Sequence, residues 1–110
     1  MNKLVTPISI AKDFAKSTGG RVPAEGPFSG QEFRDTILVK ELKAGNKKII
    51  IDLDGTDGYG SSFLEEAFGG LVRLGFDPRE LQEIFEFISK DDPTYEEEIR
   101  QYINDAVNNN

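Results

Sequence analysis

An apolar β-branched run that passes at once into acidic turn residues, glycines and a helical stripe constrains this chain more than any other stretch. Ile49-Ile50-Ile51 shows no polar alternation, and it leads into Asp52-Leu53-Asp54-Gly55-Thr56-Asp57 and then Gly58-Tyr59-Gly60-Ser61-Ser62. Such a run predicts a central strand buried on both faces. Phe63, Leu64, Ala67, Phe68, Leu71 and Val72 then recur at helical spacing, predicting an amphipathic helix from about Ser62 to Leu74. Gly69 and Gly70 interrupt it at about 1 kcal/mol each relative to alanine, a cost that points to close approach of another backbone.

The remaining elements fall on either side of this unit. Val5, Ile8 and Ile10 around Ser9 predict a short strand entered through Pro7, and Ala11 to Phe14 a single helical turn. Arg21-Val22-Pro23 reads as a brief further strand, broken by Ala24-Glu25-Gly26-Pro27. Ser29-Gly30-Gln31-Glu32 has the spacing of a capping box, so a helix starts there, with Phe28 placed to staple onto Phe33. Phe33, Ile37, Leu38 and Leu42 carry its apolar stripe, and Gly45-Asn46 stops it. After Gly75-Phe76-Asp77-Pro78, a turn of helix over Arg79 to Gln82 precedes a strand from Ile84 to Ile88. A last helix spans about Pro93 to Val107, with Tyr95, Ile99, Tyr102, Ile103 and Ala106 inward and Glu96-Glu97-Glu98 in its solvated first turn. The alternation implies an α/β fold, a small mixed β-sheet with alternating helices packed on it. One domain over residues 5–107 suffices, leaving residues 108–110 as a fraying tail.

The bulk composition narrows the chemistry. Neither cysteine nor histidine occurs among the 110 residues, so disulfides, thiol nucleophiles and imidazole bases are excluded. A formal charge of −7 argues against a nucleic-acid partner held through phosphates. The N-terminal Met1-Asn2-Lys3-Leu4-Val5 lacks a signal-peptide core, and the longest apolar runs are too short to span a membrane, so a cytoplasmic location is expected.

Several candidate sites share the opening stretch. Asp52-Leu53-Asp54-Gly55-Thr56 after an apolar strand matches the DxDGT opening of haloacid-dehalogenase-type phosphohydrolases, where one aspartate attacks phosphorus, the next is acid/base and both help hold magnesium. Asp91-Asp92 would imitate that family's late acidic pair. This makes a magnesium-dependent phosphohydrolase using Asp52 and Asp54 the alternative function. The chain is short for that larger fold, and loop chemistry alone accounts for Asp52, Asp54 and Asp57. Gly58-Tyr59-Gly60 lacks the third glycine of a dinucleotide site, so no cofactor is expected. Its glycines free the backbone for a tight turn or a partner's approach, and Tyr59 between them reads as an exposed interface anchor. Ser62 with Glu65 has capping-box spacing. Arg21 and Arg34 read as structural ion-pair formers.

Gly60-Ser61-Ser62-Phe63-Leu64, with the strand and acidic loop before it and the glycine-bearing helix after it, resembles the heart of a STAS domain, the bacterial anti-sigma-factor-antagonist type of module. Through Gly19-Gly20-Arg21, Ser29-Gly30-Gln31-Glu32-Phe33-Arg34 and the run from Gly58 to Leu71, the chain most resembles a bacterial STAS-like family of unknown function, over about Ile8 to Ala106. In STAS switches a partner kinase of the histidine-kinase ATPase fold phosphorylates the second serine of an Asp-Ser-Ser-Gly sequence. By position that serine is Ser62, with Gly60 in place of the aspartate and Phe63 in place of the glycine. The resemblance implies a regulatory protein–protein interaction module rather than an enzyme, with Asp54, Asp57, Tyr59, Gly60, Ser61 and Ser62 at its surface. It also implies a histidine-kinase-type ATPase as partner.

Overall fold

The computed structural model describes residues 6–108. Strand β1 is Ile8–Ser9, β2 is Ile49–Asp52 and β3 is Phe85–Ile88. They form a sheet in the order β1-β2-β3, with Ile8 opposite Ile51 and Ile51 opposite Phe87. Both pairings are parallel, so the small sheet expected from the sequence is present, but it is not mixed among the described residues. The expected start of β1 at Val5 lies outside those residues. Within them β1 has two residues, because Ile10 already opens the short helix α1 (Ile10–Asp13) under a Ser9 cap that accepts the Lys12 amide.

Parallel strands in sequential order need crossovers, and right-handed crossovers between them place their helices on one face. Burial follows that rule. Ile49, Ile51 and Phe85 are buried, whereas Ile50 and Asp52 are half-buried and Glu86 is exposed. Burial of β2 on both faces is therefore corrected: its second face is only partly covered, and Lys48 pairs with Glu86 there at 3.1 Å.

Helix α2 covers residues 30–43, with α-helical Gly30–Phe33 and Val39–Lys43 flanking a π-turn at Arg34–Leu38. Ser29 caps it and accepts the Glu32 amide at 3.1 Å. Helix α3 covers residues 61–73 and carries a second π-turn at Glu65–Gly69, between Ser61–Leu64 and Gly70–Arg73. Helix α4 is Pro78–Ile84, capped by Asp77, and α5 is Thr94–Asn108. The fraying expected of residues 109–110 lies outside the described residues.

Phe33, Leu38, Phe63, Leu64, Phe68, Leu71, Ile99, Ile103 and Ala106 are buried with the inward face of the sheet. Phe68 meets Phe85 edge-on at 5.4 Å and Phe87 at 5.6 Å, seating α3 on β3. The strand expected at Arg21-Val22-Pro23 does not form. Pro23–Glu25 make a 3-10 turn instead, as the ring and missing amide of Pro23 favour. Phe28 does not staple onto Phe33 either. Phe14 lies between them, 5.7 Å from Phe28 and 5.2 Å from Phe33, and Phe28 remains 44% exposed.

Candidate functional site

The loop leaving β2 is braced by its own aspartates. The Asp52 carboxylate accepts the Asp54 amide at 3.0 Å, and the Asp54 carboxylate accepts the Asp91 amide at 2.9 Å. In return Asp91 accepts the Gly55 amide at 3.0 Å, so the loops after β2 and β3 are laced together. Gly55 and Gly58 supply the positive φ values of 93° and 117° that the turn requires. Asp57 accepts the Ser17 hydroxyl, its amide donates to the Lys16 carbonyl at 2.9 Å, and the Thr18 hydroxyl donates to the Gly58 carbonyl at 3.3 Å.

Tyr59 is not the exposed anchor that its neighbouring glycines suggested. Its ring stacks on Phe63 at 5.8 Å and meets Tyr95 edge-on at 5.0 Å. Its hydroxyl donates to the Leu53 carbonyl at 2.7 Å, and its amide donates to the Tyr95 hydroxyl at 3.4 Å. Burial pushes the phenol up to about 12, with Tyr95, Asp52 and Asp54 adding negative potential. The side chain thus ties the turn to the core.

The start of α3 also differs from expectation. Gly60 is the N-cap, with extended backbone, and no side chain caps the helix. Ser61 and Ser62 occupy its first two positions and both are exposed. The expected capping box from Ser62 to Glu65 is therefore corrected, because the N-cap is Gly60, two residues earlier, and Glu65 is bound elsewhere.

Glu65 and Glu66 meet three arginines from three parts of the chain. Arg21 reaches Glu65 at 2.5 Å and Glu66 at 3.1 Å. Arg73 reaches Glu65 at 2.7 Å and Glu66 at 3.4 Å. Arg34, only 8% exposed, pairs with Glu66 and with Asp35 at 2.8 Å. Hydrogen bonds from Arg73 and then Arg21 hold the Glu65 carboxyl below its usual range. Arg21 and Arg34 thus form the ion pairs anticipated for them.

The same network explains the paired glycines. A β-carbon at 70 would lie 2.5 Å from Nη1 of Arg34, and one at 69 would lie 3.3 Å from the Tyr102 carbonyl. At 69 the Glu65 carboxylate is nearer still, 2.5 Å from such a β-carbon, so the Glu65 side chain and the Tyr102 backbone together crowd Gly69, whereas the Arg34 side chain fills the space that Gly70 leaves.

Sequence reasoning missed Arg73, Tyr95, Ser17 and Thr18 as partners. Arg73 stands eight residues beyond Glu65 and the others come from distant segments, so no local spacing announces them. Among the described residues no cluster of three or more potential metal-ligating side chains converges, and no helix is long and apolar enough to cross a membrane.

Comparison with protein families assigns this arrangement. A family model described as a STAS-like domain of unknown function matches residues 29–95. The chain belongs to that STAS-like family. The match spans the Ser29 cap, Arg34, all of β2, the junction and α3, and extends to Tyr95. Within the STAS-like segment lie Asp52, Asp54, Asp57, Tyr59, Gly60, Ser61 and Ser62, whereas Ser17, Thr18 and Arg21 precede it. Comparisons with the curated proteins and with the solved structures give no match.

Proposed function

We propose that this STAS-like chain is a regulatory protein–protein interaction module, acting by binding rather than catalysis. Its contact surface is the loop from Asp54 to Ser62 with the exposed side of the first turns of α3. One observation carries the reading: Ser61 and Ser62 stand exposed at a helix start that no side chain caps. The amides of such a start are unsatisfied within the helix and favour an anionic group. A phosphoryl group on Ser62 gains from those amides, and Glu65 and Glu66 further along oppose it less because three arginines already pair with them.

The resemblance to STAS switches makes a histidine-kinase-type ATPase the partner class, in the bacterial cytoplasm. Tyr59 belongs to the surface as the brace that shapes it, not as a contact residue. The DxDGT aspartates favour the same reading. Asp52 accepts an amide of its own loop and Asp54 accepts the Asp91 amide of the loop after β3, a brace that requires no magnesium chemistry.

Affinity capture from the native host, with mass spectrometry of the bait, reads partner and serine modification together. Capture of an ATPase of that fold by the wild type and its loss in Ser62→Asp are expected. Equal capture by the two would refute the switch. Magnesium-dependent turnover of an aryl phosphate, abolished in Asp52→Asn, would overturn the binding-only reading.

A further inference from the structure

Residues 17–28 leave the body of the protein and return beside it. The Gly19 amide donates to the Phe28 carbonyl at 2.8 Å, and the Gly30 amide donates to the Gly20 carbonyl at 2.9 Å, closing the ends. Inside, Glu25 and Gly26 donate to the carbonyls of Val22 and Pro23 at 2.9 and 3.0 Å. This is a compact Ω-type loop, with Phe28 at its return holding φ 59°, a left-handed value uncommon for a bulky residue.

What distinguishes the loop is how it is attached. From residue 16 to residue 28 no side chain is buried, and the loop's one aromatic contact with the body is the exposed Phe28 edge-on to Phe14. Its attachments to the candidate surface are polar: Ser17 on Asp57, Thr18 on Gly58, and Arg21 on Glu65 and Glu66. The base of Arg21 is pinned, its amide donating to Glu25 at 2.7 Å and its carbonyl accepting the Gln31 amide at 3.0 Å. The guanidinium therefore reaches α3 from a set position.

Its release costs little. Glu65 keeps Arg73 and Glu66 keeps Arg34 when Arg21 leaves, so neither carboxylate is orphaned. Segments held by surface and half-buried polar contacts open more readily than a packed core, and salt screens the ion pairs that solvent reaches.

We infer that residues 17–28 form a releasable ionic strap, latched by Arg21 across Glu65 and Glu66 and opened when a partner engages the junction loop beside it. Opening for a partner rests on the proposed function; latching by Arg21 does not. The strap thereby limits access to Gly58 and the glutamate face of α3, which are only half-exposed beneath it.

Hydrogen–deuterium exchange on the full chain tests the latch. In Arg21→Gln the amides of residues 17–28 exchange about fivefold faster, the effect of losing one surface-grade contact, while residues 49–52 and 99–106 keep wild-type protection. Wild type in about 1 M salt, where the Debye length falls to about 3 Å, approaches the variant without any mutation. Unchanged strap exchange in both arms, or acceleration that spreads to the core, overturns the latch. Capture from the host then tests the gate. Stronger capture by Arg21→Gln than by wild type supports it, and equal capture alongside faster strap exchange overturns it. Capture of no partner by either protein overturns both the gate and the proposed function, and the exchange result still decides the latch.

Discussion

Replacing Gly70 with alanine sets two effects of opposite sign against each other. Within a helix alanine is favoured over glycine by about 1 kcal/mol, so local propensity alone predicts stabilisation. In the folded protein, however, the added β-carbon would stand 2.5 Å from Nη1 of Arg34 and 3.1 Å from its Cδ. Arg34 has little freedom to yield, since its side chain is 10% exposed and bonded to both Asp35 and Glu66. Moving Nη1 aside gives up a charge-assisted bond worth about 1.5–3 kcal/mol. Subtracting the propensity gain leaves a net loss of about 0.5–2 kcal/mol, and each kcal/mol lowers Tm by roughly 4–8 °C in a domain of this size. Urea titration and thermal melts followed by circular dichroism measure both quantities. In an Arg34→Ala background both the Nη1 and the Cδ contacts are gone, and Gly70→Ala should become neutral or stabilising by up to about 1 kcal/mol. Stabilisation of the wild type by Gly70→Ala would refute the reasoning, because Arg34 would then not occupy that space.

Other predictions address the junction. Tyr59 should titrate late, near pH 12, in ultraviolet absorbance, and Tyr59→Phe should remove that late phase. Because its folded pKa is raised, the stability it contributes is complete below pH 10 and lost as pH rises from 10 to about 12. Tyr59→Ala should lower Tm, since it removes a ring stacked on Phe63 and edge-on to Tyr95, and a wild-type Tm would return Tyr59 to the exposed class. Ser62→Ala should change stability by less than about 0.5 kcal/mol, whereas Ser29→Ala, which removes a formed cap, should cost about 1 kcal/mol. Equal losses in denaturant titrations would restore the Ser62 cap. The Glu65 carboxyl has a lowered folded pKa, so its stabilisation is present above the ordinary value of 4.5 and lost as pH falls through the folded pKa. The Tm difference between wild type and Glu65→Gln should accordingly shrink as pH falls below 4.5, and a constant gap would contradict it.

Elements whose signals are local were legible. The Ser29 cap formed at its expected position because hydroxyl and amide are three residues apart in any helix start of that kind. The apolar faces of α3 and α5 followed from spacing alone, and β3 began within one residue of its expected start. Tyr59 was misjudged because its glycine neighbours describe the backbone turn, whereas its burial depends on Tyr95, thirty-six residues away. The extent of β2's burial was misjudged for a related reason. An apolar run reports that a strand is covered, but the number of faces covered is set by crossover hand and strand order.

The amino-acid sequence by itself determined the α/β alternation, the central strand at Ile49–Asp52, the glycine turn after it and the family that these motifs mark. Each of these depends on residues a few positions apart, within reach of one another in any local geometry the chain adopts. Only the tertiary structure decided that the sheet is parallel and that Ser62 follows a Gly60 cap rather than forming one. Only it gathered Arg21, Arg34 and Arg73 around Glu65 and Glu66. Thirteen basic and twenty acidic side chains allow many ion pairings, and packing α2, α3 and the loop at Arg21 together selects which charges meet.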